Sequence, residues 1–315
     1  MRRGDDTCCV EPVTNPELDP FRCSDASRTA EEPMAGTAST VRAFLLLEAP
    51  GPWGVEAIRD SRLPEECRRW LTSLEQRHGV RPLLVRRPGR PVRGPVRVFA
   101  AHAGAEQTWL GTRLLDDVRD LCSLDVAGLA DGPLTSFEQH SGQLHLVCTH
   151  GRHDACCAER GRPFAAALAQ EAPEETWEVS HIGGDRFSAN VLTLPGGHYY
   201  GRLEPQDAAT FAAALRAHRL DLEHLRGRTA YSFAVQAGEV HLRRHLDERR
   251  ATAVRLVRTT RARERQETTA EFAVEGSGSW SVTVRSGRGP ERLLTCRAAS
   301  AARGLSQQVV DLTRL

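Results

Sequence analysis

Residues 143–170 read QLHLVCTHGRHDACCAERGRPFAAALAQ, and residues 177–203 read WEVSHIGGDRFSANVLTLPGGHYYGRL. In the first stretch Leu144, Leu146 and Cys148 fall on one face of an alternating run, with Val147 between them, which predicts a strand over 143–148. The alanine-rich segment 162–170 sets Phe164 and Leu168 one turn apart and predicts a helix. The second stretch predicts strands over 177–180, 190–194 and 198–203, the last two joined by the turn Pro195-Gly196-Gly197. Pro205 then opens a helix over 206–219, with Phe211 and Leu215 inward. The order is β-α-β-β-β-α.

Upstream the same order recurs. Residues 41–48 predict a buried strand, and 64–78 a helix with Cys67, Trp70, Leu71 and Leu74 at helical spacing and Gly79 as its stop. Strands are expected over 81–87, 96–102 and 108–114, and a closing helix over 116–129. The expected class is therefore α/β, an α+β sandwich, and a βα unit followed by a strand, a hairpin and a helix is thioredoxin-like. Two such units are expected in tandem, over 41–129 and 142–220. Residues 1–40 read as an irregular arm. Residues 228–315 read as a C-terminal extension, with a helix over 240–250 and hairpin strands over 253–259, 268–274, 280–284 and 291–297.

Composition narrows the function. All 42 basic residues are arginine, against 41 acidic ones, and a net charge of +1 steers the chain toward neither nucleic acid nor anionic lipid. The arginine-rich run 255–265 lacks interleaved aromatics and reads as a solvated face. The longest apolar run, Phe44-Leu45-Leu46-Leu47, is far shorter than the ~20 residues that cross a membrane. Residues 1–20 are polar and do not read as a secretory signal, so a cytoplasmic protein is expected. Nine cysteines, an odd number, then argue for metal or redox chemistry rather than a disulfide framework.

That chemistry concentrates between Cys148 and Phe187. Cys148, Cys156 and Cys157 flank a strand-to-helix loop, where converging backbone N–H groups favour thiolates and anionic ligands. His181 and Asp185 stand four residues apart around Gly183-Gly184, a tight turn that leaves room for a bulky ligand. Two ligand pairs on two neighbouring loops assemble a four-ligand binuclear site. Zinc is the competing occupant, but eight residues separate Cys148 from Cys157, where zinc ligands usually stand two to four apart.

These residues resemble the sucrase/ferredoxin-like family, whose members look like thioredoxin-like ferredoxins. The family pattern is Cys-x8-Cys, then His-x-Gly-Gly-His, then a Pro-Gly turn and Tyr-Gly-Arg. Cys148 and Cys157 match the first element, His181-Ile182-Gly183-Gly184 the second, and Tyr200-Gly201-Arg202 the last. The stretches 32–38 (EPMAGTA) and 48–54 (EAPGPWG) are also similar, so the resemblance covers roughly residues 23–245. It implies a [2Fe–2S] cluster with Cys148, Cys157 and His181 as ligands. The family's second histidine is Asp185 here, which stands where the fourth ligand belongs; Cys156 is the next candidate. A carboxylate in place of imidazole implies a lower potential. His150 and His153 read as hydrogen-bonding residues around the site or as solvated loop residues, and Arg152, Arg186 and Arg202 as charges that neutralise it or lie at the surface. Cys67 and Cys122 read as small buried hydrophobes, Cys8, Cys9 and Cys296 have no assigned role, and Cys23 is open.

The expected function is one-electron transfer or redox sensing with a redox partner protein, rather than catalysis on a small molecule. A metal-stabilised scaffold, holding Fe–S or zinc without turnover, is the alternative. A thiol–disulfide oxidoreductase would want Cys-x-x-Cys, and the vicinal pair Cys156-Cys157 closes a strained ring instead. A glycoside hydrolase needs two carboxylates facing each other across a sugar site, and none can be assigned.

Overall fold

The computed structural model describes residues 21–49, 51–89 and 94–315, so Cys8 and Cys9 lie outside the described residues. Helix α1 (Cys23–Thr29) is followed by β1 (Ala43–Glu48), α2 (Glu65–His78), β2 (Val80–Arg86), β3 (Val96–Ala103) and β4 (Thr108–Leu115). After a 3-10 turn at Val118–Ser123 come β5 (Glu138–Gln139), β6 (Leu144–Cys148), α3 (Ala155–Glu171), β7 (Thr176–Val179), β8 (Val191–Leu194), β9 (His198–Tyr200), α4 (Ala208–Arg216) and β10 (Leu225–Arg228). Helix α5 (Phe233–Leu246) leads into β11 (Val254–Ala262), β12 (Glu267–Val274), β13 (Gly278–Arg292) and β14 (Ala302–Arg314). The chain is thus mixed α/β.

Strands β1 to β10 form one sheet in the order β10-β9-β8-β6-β7-β2-β1-β3-β4-β5. Its two halves repeat one pattern. In the first, β1 pairs in parallel with β2 and antiparallel with β3, which pairs antiparallel with β4. In the second, β6 pairs in parallel with β7 and antiparallel with β8, which pairs antiparallel with β9. The halves meet where β2 runs antiparallel to β7, through Val85↔Val179 and Arg86↔Glu178. Ser180 extends this short seam, donating its backbone N–H to Leu84 O at 2.9 Å and accepting from Leu84 N–H on its hydroxyl at 3.1 Å. Arg86 seals it with a 2.7 Å bond to Glu178.

The strands alternate between two buried faces. On one, Phe44, Leu46, Val85 and Phe99 share a core with Leu146, Trp177, Leu192 and Tyr199, so both halves contribute to it. Phe99 and Trp177 meet edge to face at 5.3 Å although two strands lie between theirs, because the halves fold their inner faces together. On the outer face, Cys67, Leu71 and Leu74 of α2 cover the first half. Phe164 and Leu168 of α3 and Phe211 and Leu215 of α4 cover the second. Tyr199 and Tyr200 are accordingly both buried, one on each face. Beyond this sheet, β11 to β14 form an antiparallel four-stranded sheet. Val235 and Leu242 of α5 pack with its Phe272, Val282 and Val284.

Several expected elements differ. The helix expected over 116–129 is only the turn Val118–Ser123. There Asp117 accepts from Arg119 N–H, Ser123 Oγ donates to Asp120 O and Asp125 accepts from Ala127 N–H, local bonds that compete with the helix. Helix α3 begins at Ala155, not at residue 162, because Asp154 caps it by accepting from Cys156 N–H at 2.9 Å, and it runs through Pro163. The arm expected to be irregular contains α1. The C-terminal helix lies earlier than expected, at Phe233–Leu246, and the strand expected over 291–297 is the end of β13, followed by a turn and the unanticipated β14.

Candidate metal centre

Strand β6 delivers Cys148 at its C-terminal end, and α3 delivers Cys157 from its first turn. The helix reaches the strand end closely at Gly161, where a Cβ would collide with the carbonyl of Cys148. The loop after β7 brings in His181 and, through a 3-10 turn, Asp185. Gly183 and Gly184 both take positive φ, +97° and +84°, and a Cβ on Gly184 would strike the Arg226 guanidinium. Arg226 is fully buried and pins this turn, donating to Gly183 O at 3.1 Å and to Asn190 Oδ1 at 2.7 Å, while Asn190 donates to Gly184 O at 2.8 Å.

The donor atoms form two overlapping groups. Cys148, Cys157 and His181 lie within 4.8 Å of one another, and so do His153, His181 and Asp185. Cys157 Sγ is 3.2 Å from Asp185 Oδ1, and His181 Nδ1 is 3.0 Å from the same oxygen, although out of line for a hydrogen bond. His153 stacks on His181 with ring centroids 3.7 Å apart, and its Nε2 stands 3.9 Å from Asp185 Oδ2. His150 takes a supporting position. It accepts from the His181 N–H on Nδ1 at 3.3 Å, which leaves the proton on Nε2 for donation to Gly54 O at 2.6 Å.

Electrostatics follow from that packing. Cys157 donates toward Cys148, and that bond, opposed by burial and aided by His181, holds the Cys148 thiolate well below the ordinary thiol pKa. The same bond, with burial, pushes Cys157 well above it. Burial works against charge on His181, but Asp185 and Cys148 outweigh it and raise its pKa to about 9. Burial would likewise raise Asp185, but His181 overrides it and lowers the carboxyl pKa. The Asp185 carboxylate and the Cys148 thiolate thus favour a proton on His181, and a metal bound there would displace protons from His181 and Cys157.

Cys156 points elsewhere. Successive residues on a helix project ~100° apart, and its Sγ lies among Cys23, Ser24 and Cys296 rather than beside Cys157's partners. Of the arginines expected to neutralise the site, Arg186 pairs with Glu32 at 2.8 Å, and Arg202 donates to Ser27 O and Glu32 O, so both tether the N-terminal segment. Arg152 offers its carbonyl oxygen to Arg297 at 3.2 Å. The buried cation at the turn is Arg226, which no motif marked; its sequence neighbours Arg228 and Arg219 look the same on paper.

The sucrase/ferredoxin-like family matches residues 34–227, more than half of the chain. The chain belongs to the sucrase/ferredoxin-like family. Every donor of the two groups falls within that span. No curated protein and no solved structure matches the chain. Among the described residues no helix is long and apolar enough to cross a membrane.

Proposed function

We propose that this chain carries a [2Fe–2S] cluster, with Cys148 and Cys157 on one iron and His181 and Asp185 on the other, and that it passes or senses single electrons. The observation that carries the reading is the donor arrangement: a buried thiol pair packed directly against an imidazole–carboxylate pair, in two groups that share His181. The donor chemistry fits, since thiolates and imidazole are iron–sulfur ligands and the buried Arg226 offsets their negative charge. The cluster would supply a reversible one-electron couple. The protein's own residues do the rest: Gly161 lets α3 and β6 approach, Arg226 fixes the His181 turn, and His150 orients the backbone at His181. The strand order shared by the two halves supports reading each as a thioredoxin-like unit, only the second of which retains ligands, with 228–315 as an extension.

The electron's exit is the imidazole edge. His181 is the more exposed end, at 25% against 4% for Asp185, and it opens with His153 onto a cavity of about 280 Å³ walled by Val55, Ile58 and Arg81. A redox partner protein docks there in this reading, and reduced thiols fit a cytoplasmic setting. A mononuclear zinc site is the second reading, because Cys148, Cys157 and His181 lie within reach of a single ion.

One preparation tests both. Protein purified without oxygen should be red-brown, contain about two irons and two acid-labile sulfides per chain, and lose both with the colour in Cys148→Ser or Cys157→Ser. Colourless protein whose zinc disappears in those variants would establish the zinc reading instead.

A further inference from the structure

We propose that Cys23, Asp154, Cys156 and Cys296 form a second metal site, separate from the first, that takes a single zinc ion. These four residues come from α1, the loop before α3, the first turn of α3 and the turn between β13 and β14. Their ligand atoms all lie within 4.8 Å of one another, one compact quartet where the first centre has two overlapping groups. Cys23, Cys156 and Asp154 are buried to 1%, 1% and 0% exposure, and Cys296 is half-buried.

The spacing suits a tetrahedral ion. With Zn–S bonds of ~2.3 Å, sulfurs on one zinc stand ~3.8 Å apart. Here Cys23 and Cys156 are 3.8 Å apart, Cys23 and Cys296 3.5 Å, and Cys156 and Cys296 3.3 Å. Both carboxylate oxygens of Asp154 are 3.7 Å from Cys23 Sγ. Asp154 also accepts from the Cys156 and Cys296 N–H groups, at 2.9 and 2.7 Å, which fixes the carboxylate while leaving each oxygen a second lone pair.

The surroundings are those of metal-bound thiolates. Ser24 donates its hydroxyl to Cys156 Sγ at 3.1 Å, and the Cys23 N–H donates to Cys296 Sγ at 3.5 Å. Arg160 backs Ser24 with a 3.0 Å bond and brings positive charge to the cluster of anions. A disulfide uses two sulfurs at about 2.05 Å and strands the third; three thiols converging with a carboxylate match a Cys3Asp zinc site. Each centre also takes one cysteine from α3's first turn, so zinc binding would brace the helix that carries Cys157.

The test uses the full chain and counts zinc and iron by elemental mass spectrometry. The wild type should hold about one zinc per chain. Cys23→Ser/Cys296→Ser should lose at least nine-tenths of it and keep its iron. Cys148→Ser/Cys157→Ser should do the reverse. Zinc that instead follows Cys148 and Cys157 would overturn the proposal, and so would an intact mass two hydrogens light from a disulfide between Cys23, Cys156 or Cys296. Should Cys23→Ser/Cys296→Ser not fold, Co2+ added to Cys148→Ser/Cys157→Ser after zinc removal decides the matter. Intense thiolate-to-cobalt absorption supports the site, and its absence refutes it.

Discussion

Asp185 is the residue at which this chain leaves its family's motif, and its environment makes the departure consequential. The carboxylate is buried, 3.2 Å from Cys157 Sγ and 3.0 Å from His181 Nδ1. As a ligand of the proposed cluster it would add an anion that favours the oxidised, more positive core over the reduced one. Asp185→His should therefore keep the iron and raise the midpoint potential, whereas Asp185→Ala should make the cluster labile. Iron content and spectroelectrochemical titration of the three proteins check this. If alanine leaves both quantities unchanged, Asp185 only holds His181 in place, and the fourth donor is His153, which already stacks on His181 and belongs to the same donor group. His153→Ala would then remove the colour that Asp185→Ala left.

Single elements carry their own pH sensitivity, and β6 is the clearest case. His145 lies in mid-strand on the face of Val147, only 2% exposed, and its Nδ1 has no hydrogen-bond partner among the described residues. Burial alone lowers its pKa from 6.5 to about 4. The unfolded chain therefore binds a proton that the folded one refuses, and stability is intact above pH 6.5 and drains away as pH falls toward 4. At pH 5 the loss is roughly 2 kcal/mol, because each pH step of one below that upper value costs ~1.4 kcal/mol. His145→Leu should match or exceed the wild type at pH 7 and lead it by about that much more at pH 5. Denaturant titrations at both pH values measure it, and a constant gap would show that His145 finds a proton acceptor in the fold. The same strand shows what a linear reading can see. Its alternation was legible because Leu144, Leu146 and Cys148 face the shared core, and the hairpin at Pro195 and the helix stop at Gly79 were legible because their turn chemistry is local. The start of α3 was hidden because Pro163 suggests a boundary, while the true one is set by the Asp154 side chain. Cys148, Cys157, His181 and Asp185 stand in two short motifs, so a linear reading can name all four together as candidates. Arg226, Cys23 and Cys296 reach their places from 36 to 273 residues away, and nothing local marks them.

At the scale of the molecule, the question is whether the two halves behave as two bodies. Their strands repeat one another, yet the core between them is common property: Phe44, Leu46 and Phe99 from the first half touch the same cluster as Leu146, Trp177 and Leu192 from the second. The halves are also joined by Arg87 over the Trp177 ring at 3.9 Å and by a 2.8 Å bond from Arg228 to Gly104 O. The first half also reaches into the candidate centre, since Gly54 holds His150 and Trp53 packs edge-on against its ring at 5.9 Å. Separating the halves would expose the shared apolar face, at ~25 cal/mol for each Å², and would take Trp53 and Gly54 away from His150. Neither half then has a folded state in which the other is open. Thermal unfolding should accordingly show the near-ultraviolet signal and the visible absorption of the proposed cluster falling together, with calorimetric and van't Hoff enthalpies equal for the ten-stranded sheet. Colour that survives a first transition in which only residues 43–115 melt, as followed by hydrogen exchange, would mean that the second half is autonomous. The shared core would then be an interface between two domains rather than the centre of one.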